Sequence, residues 1–294
     1  MPRSVVDDYL TTHGLEPGEG VTFDFLANEA YHAGPGLSCT GAKRLLKSPF
    51  HYHELAKPHD APPKAPTPAM LNGTLVHCAL LEPDEFDMRY AVSDAEKRSK
   101  AWRDICEAWK NAGGLEVITT LQRDAAMRQA HALRTVPAVA ELLGAGIAEQ
   151  SVYWRETAPG LLLKCRPDWR SPVQRGEGVV LLDVKTAADA SPDGFAKACA
   201  SFGYHIQDPW YCEGVAIATG LEVHGMVFGV VESEFPHAAA AYMLSDDARA
   251  LGREQIAKAR ATYLHCMHEG VWPGYPQDIA VIDLPRWAYS AAHP

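Results

Sequence analysis

Nine residues constrain this chain more than any others: Val179–Ala187, VVLLDVKTA. A run that opens on four apolar residues fits a short strand covered on both faces. Into its second half the chain places Asp183 and Lys185, two apart. The period of a strand puts both side chains on one face. Alone, D-x-K is a common salt-bridging strand end of little energetic weight. Asp168 changes the balance. It ends the preceding strand candidate, GLLLKCRPDWR, and a hairpin through SPVQRGEG brings it beside Asp183. Two adjacent carboxylates repel unless a proton, an arginine such as Arg166, or a cation lies with them. The cation is favoured here.

Two acids and a lysine on neighbouring strands make a hard-cation site with a cationic helper, which is what metal-assisted phosphodiester cleavage needs. Gln207 and Tyr211, in QDPWY, stand at i and i+4 on the helix candidate that follows. One helical face therefore presents an amide and a phenol. A helix that merely caps the sheet is an equally good account of that pair. His77 sits in an otherwise apolar helix, NGTLVHCALLEP, where a lone histidine is more often a satisfied core residue than a ligand. Gly73, one turn earlier, lets another element approach that face.

The rest of the chain is ordered simply. Residues 1–36 are Gly-, Pro- and acid-containing and weakly periodic, which predicts an extended or partly ordered lead-in. Ser38 or Thr40 can cap a short helix that stops near Pro49, and the Pro-rich residues 57–68 can only be a loop. Helical patterns dominate residues 37–147. Residues 148–294 read as three strands, helices around Gly203, two more strands, and a long helix from Ser245 or Asp246 to Gly270. That order fits an α/β fold with a mixed central β-sheet flanked by helices, preceded by an α-rich region.

Composition narrows the class. Hydrophobic residues make up 47% of 294 residues, enough for a full core. No apolar run is long enough to cross a bilayer, and MPRSVVDDYLTTHG has no signal-peptide core, so the expected location is cytoplasmic. Seven cysteines with no C-x-x-C pair argue against a disulfide framework, a structural zinc site or an iron–sulfur cluster. The formal net charge of −10 excludes a surface broadly coated for DNA binding, but leaves room for a local path. Lys43, Arg44, Lys97, Arg98, Lys100 and Arg103 are the local basic candidates. Trp102 could stack on an end base, although a core position suits it better.

Taken together, R-P-D-W, L-L-D-V-K-T and Y-H-I-Q-D-P-W-Y resemble the PD-(D/E)XK nuclease superfamily, and more narrowly the RecE-type (exonuclease VIII-like) phage recombination exonucleases. GLSCTGAKRLLKSPFHYHE, GTLVHCALLEPDEF, SKAWRDICEAWK and LPRWA are similar to further segments of that family, so the resemblance runs over residues 37–288. It implies a single nuclease domain over 37–294, with the catalytic α/β core at 148–294. By resemblance, Asp168 and Asp183 bind the metal, with the Val184 backbone carbonyl and His77 completing its shell. Lys185 orients the attacking water or steadies the developing charge, and Gln207 and Tyr211 position the nucleophile, the phosphate or the strand. Oxygen ligands imply Mg²⁺ or Mn²⁺, as one or two ions. Cys78 and Cys165, near in sequence, are the only reason to test zinc.

The implied activity is Mg²⁺-dependent exonuclease digestion of double-stranded DNA ends, 5′→3′, leaving 3′ single-stranded tails. The implied setting is a phage or prophage gene product in a bacterial host, a homo-oligomeric ring, with a RecT-like single-strand annealing protein as partner. The alternatives are a structure-specific or restriction-type endonuclease on the same core, or a catalytically silent DNA-end-binding recombination scaffold. The intact Asp168, Asp183 and Lys185 weigh against the scaffold.

Overall fold

The computed structural model describes residues 5–24, 26–56, 66–174 and 176–285. Most of the Pro-rich loop, and Arg286–Ala288 of LPRWA, lie outside the described residues. The first elements are α1 (Val5–His13), β1 (Gly20–Phe23), α2 (Asn28–Ala33) and β2 (Leu37–Ser38). Ser38 then caps α3 (Cys39–Lys47) by accepting the Gly41 amide, and Pro49 opens α4 (Pro49–Ala56). The helix α5 (Pro68–Leu81) is capped by Thr67 and stops before Pro83. A 3₁₀ turn leads into α6 (Phe86–Arg89), β3 (Tyr90–Val92), α7 (Lys100–Asn111) and β4 (Glu116–Ile118). A Thr119–Gln122 capping box starts α8 (Thr120–Thr135), and Pro137 separates it from α9 (Pro137–Leu143).

The second half carries β5 (Ile147–Ala148), β6 (Ser151–Arg155), β7 (Leu162–Cys165), β8 (Trp169–Pro172) and β9 (Val179–Ala187). These are followed by α10 (Pro192–Phe202), α11 (Tyr204–Thr219), β10 (Val223–Glu232), β11 (Ala239–Tyr242) and α12 (Asp246–Glu269). The fold is α/β, as the sequence pattern predicts. Its five-stranded sheet, ordered β11-β10-β9-β8-β5, is mixed: β9 and β10 are parallel, the other pairs antiparallel.

The strand GLLLKCRPDWR is not one strand but two. β7 joins a second, four-stranded sheet, β1-β6-β7-β2, while β8 belongs to the five-stranded one. The break falls at Arg166-Pro167, where proline has no N–H to continue a ladder. The lead-in adds to this second sheet, since β1 pairs with β6 from Gly20↔Trp154 to Phe23↔Ser151. Lys164 holds it there. Its buried ammonium donates to the carbonyls of Tyr31 and Gly34, at 2.9 and 2.5 Å.

β9 divides the core by alternation. Leu181 faces a cluster with Trp210, Phe228 and Val230; Leu182 and Val184 face another with Leu75, Leu133 and Val231. Helices α11, α12 and α3 cover the first side, and α5 and α8 the second. The side chains of Asp183 and Lys185 therefore point toward α11.

The crossing of α11 and α12 depends on one missing donor. Pro209 lies inside α11 and cannot bond the His205 carbonyl four residues back. Gly252 of α12 packs its backbone directly against that carbonyl, where a Cβ would collide. Gly252→Ala therefore costs about 1–3 kcal/mol through overpacking, although alanine is the better helix former by about 1 kcal/mol. Circular dichroism melts should show a lowered midpoint; an unchanged or raised one would contradict this close approach.

Candidate metal centre

β8 begins at Trp169, opposite Leu182. From Asp183 onward that edge of β9 has no strand partner among the described residues, and its backbone groups must be satisfied in another way. The Val184 amide donates to Asp168 Oδ2 at 2.7 Å. The Val184 carbonyl faces His77 Nε2 at 2.9 Å. A carbonyl only accepts, so Nε2 carries the proton and the lone pair of His77 lies on Nδ1. Nδ1 stands 3.6 Å from Asp168 Oδ2. A ring nitrogen fixed by a hydrogen bond from its partner nitrogen to a backbone carbonyl is a common arrangement of metal-binding histidines. The element that Gly73 admits is β9 itself: a Cβ there would lie 3.6 Å from Thr186 Oγ1.

A third acid completes the group. One ligand atom each from His77, Glu149 and Asp168 lie within 4.8 Å of one another. Nothing in the sequence pattern singles out Glu149. It lies between β5 and β6 with φ at 49°, and its amide donates to the Asp168 carbonyl at 3.0 Å. The pairing of Ala148 with Trp169 places it opposite Asp168, and only that non-local register reveals it. Burial, and then the Asp168 carboxylate, push the Glu149 carboxyl up to about 8. Arg166 does not relieve these acids by contact: its guanidinium bonds Ser151 Oγ and the Leu26 carbonyl and lies over the Tyr31 ring.

Asp183 and Lys185 share one face, as the alternation predicts. Asp183 is 1% exposed; Gln207 Nε2 donates to Oδ1, and Oδ2 pairs with the Lys185 ammonium. Burial disfavours both charges. It lifts the Asp183 carboxyl above its ordinary range against the pull of Lys185. At Lys185 it is outweighed by Asp183 and then Asp168, which hold the ammonium charged. Tyr211 sits one turn beyond Gln207 and packs against the core that holds Trp210, with its phenol pKa raised by burial. Of the basic candidates, Lys43 lies near this face: its ammonium is 5.8 Å from the Tyr204 ring, and Lys185 is 5.0 Å from the same ring. Arg44 is exposed on α3. Lys97, Arg98, Lys100 and Arg103 stand exposed on and before α7, which packs on β4. There Lys100 pairs with Asp104, and Lys97 lies 5.6 Å from the half-buried Trp102 ring.

The donor set suits a hard divalent ion. A cation here would favour the ionised form of Glu149 beside Asp168, and an oriented imidazole nitrogen adds a third ligand. The Val184 carbonyl keeps a second lone pair. Cys78 and Cys165 are buried thiols whose ionisation burial opposes, which does not favour a soft ligand set.

The protonation of Glu149 has a measurable sign. Its ordinary value is 4.5, and in the metal-free fold it is about 8. Between those values the folded chain holds a proton that the unfolded chain has lost, so this group's contribution to stability declines as pH rises. In metal-free thermal melts, wild type should lose ground against Glu149→Gln from about pH 5 to about pH 8. Mg²⁺ or Mn²⁺ should restore it most at the upper end. A wild-type-to-variant difference independent of pH would contradict the raised Glu149 carboxyl.

No curated protein matches the chain. Among solved structures it is similar to a candidate exonuclease from Eubacterium rectale, at 16% identity and a TM-score of 0.60, over 91% of this chain and 98% of that one. At such identity the likeness speaks for the fold alone. Protein VC1899 from Vibrio cholerae shares 10% identity over 91% of this chain and 61% of its own, but its TM-score of 0.24 carries no argument. The family described as PDDEXK-like domain of unknown function (DUF3799) matches residues 38–285. Within that span lie Pro167-Asp168, just before β8, and Asp183-Val184-Lys185 on β9, and the chain belongs to this PDDEXK-like family.

Proposed function

We propose that the protein is a metal-dependent nuclease that digests double-stranded DNA from an end. The observation that carries the reading is the cluster of His77, Glu149 and Asp168 at the open edge of β9, with the charged Lys185 beside it. A bound Mg²⁺ or Mn²⁺ would polarise a phosphate oxygen and ease ionisation of a water. Glu149, Asp168, His77 and the Val184 carbonyl are the groups that would hold it; Asp183, a ligand by the resemblance, lies outside that cluster with its carboxylate engaged by Gln207 and Lys185. Lys185 is fixed by Asp183 and stays protonated, so its charge is in place when negative charge builds on the phosphate. Gln207 holds the Asp183 carboxylate in the orientation that fixes the lysine.

The finer reading rests on the resemblance of RPDW, LLDVKT and YHIQDPWY to RecE-type enzymes. It assigns 5′→3′ polarity, 3′ tails, a ring-shaped homo-oligomer, and a single-strand annealing protein as partner, in a phage or prophage setting.

The test is digestion of linear duplex carrying one 5′ or one 3′ end label, in Mg²⁺ or EDTA. The expected result is early release of the 5′ label in Mg²⁺ only, with Lys185→Ala slower by about a hundredfold or more. A nicked circle should resist. Cleavage of the circle would favour the endonuclease, and duplex binding with neither label released in Mg²⁺ or Mn²⁺ would leave the scaffold.

A further inference from the structure

A groove of about 290 Å³ opens beside Lys185, between the end of β9 and α10. Its walls include Lys185, Asp189, Phe195, Phe202 and Tyr204. The floor is aromatic. Phe195 stacks on Tyr204 at 5.9 Å between centroids, and Phe202 lies 5.8 Å from Tyr204 at 31°. Phe195 is buried, but Phe202 is 63% exposed.

A single exposed phenylalanine is ordinary; this one is held in place. It is the last residue of α10, and Gly203 follows in the left-handed conformation that ends the helix. The Phe202 carbonyl accepts the Lys43 ammonium at 2.9 Å. The backbone at Phe202 is therefore fixed, and its ring lies beside Tyr204 with a face open.

The groove is also polar along its length. At one end Lys185 and Lys43 stand over the Tyr204 ring. At the other, Asp189 accepts the Ser191 amide at 2.8 Å and fills the space beside Gly194, in the first turn of α10. That carboxylate shuts the helix end to a phosphate. A ligand with an anion at the lysines, a flat apolar body, and N–H donors toward Asp189 matches the three parts. A nucleotide has this make-up, and each of the four bases carries an N–H donor.

Building on the nuclease reading, we propose that this groove seats the nucleobase next to the phosphate that meets Lys185, stacked on the open face of Phe202. Stacking is indifferent to sequence because every base has a π-face, so the site would hold any nucleotide as the strand is consumed.

The test measures binding of the full-length protein to short duplexes by fluorescence anisotropy, in EDTA and in Ca²⁺. An abasic residue is placed at each of the first three positions from either end. For wild type, at least one position should weaken binding about tenfold. Phe202→Ala should bind intact duplex about tenfold more weakly and discriminate no further against that abasic duplex. Phe202→Trp should behave as wild type. Circular dichroism should show both variants folded, as befits an exposed position. If no abasic position matters to wild type, or if Phe202→Ala discriminates as wild type does, the inference is overturned. Phe202-dependent binding without hydrolysis would overturn the nuclease reading alone; hydrolysis with no dependence on Phe202 would overturn this one alone.

Discussion

The structure depends on a strand that is paired on one edge and open on the other. β10 runs beside β9 as far as Ala187, but β8 stops opposite Leu182. A backbone amide and carbonyl buried without partners would each cost about 1–3 kcal/mol. Asp168 and His77 supply the missing partners for Val184. The same two bonds fix a carboxylate and choose a histidine tautomer. Completing a sheet edge and building a donor cluster are thus one event, and it explains why residues 77 and 168, on different elements, point to one place.

The pleat assigns the side chains on β9: that of Val184 faces α5, those of Asp183 and Lys185 face α11, and the Val184 backbone meets Asp168 and His77 along the strand edge. A one-residue slip of β9 would exchange those sets. The register is held from both sides by buried Leu181 and Leu182. Above it, Gly203 starts α11 with a left-handed turn, so that Gln207 reaches Asp183. α12 in turn presses on α11 at the carbonyl that Pro209 cannot bond. Positioning of the lysine is in this way transmitted from packing two layers away.

Much of this was legible in the sequence because its causes are local. The helix starts at Ser38 and Ser245 carry caps visible in the sequence, and the period of two assigns Asp183 and Lys185 to one face. Two features were not legible. The RPD segment looks like a continuing strand, and only the absence of a ladder donor at Pro167 sends its two halves to different sheets. Glu149 is an acid at the head of an apolar strand, indistinguishable from a solvated one until β5 pairs with β8. The α7 basic residues are conspicuous in sequence and stand exposed, where Lys100 pairs with Asp104 and Arg103 bonds the Arg98 carbonyl.

Net charge sets the remaining constraint. At −10 the chain repels a polyanion over most of its surface, with a reach of about 8–10 Å at physiological salt. Approach must then be confined to a cationic spot, and Lys43 with Lys185 is a small one. Few phosphate contacts mean little counterion release, hence a weak electrostatic contribution with a shallow salt dependence. Stacking is not screened by salt. On the proposed reading, an aromatic surface beside two lysines would let an acidic protein grip one nucleotide firmly and the rest of a duplex loosely, and loose contact elsewhere would let a strand advance after each cut.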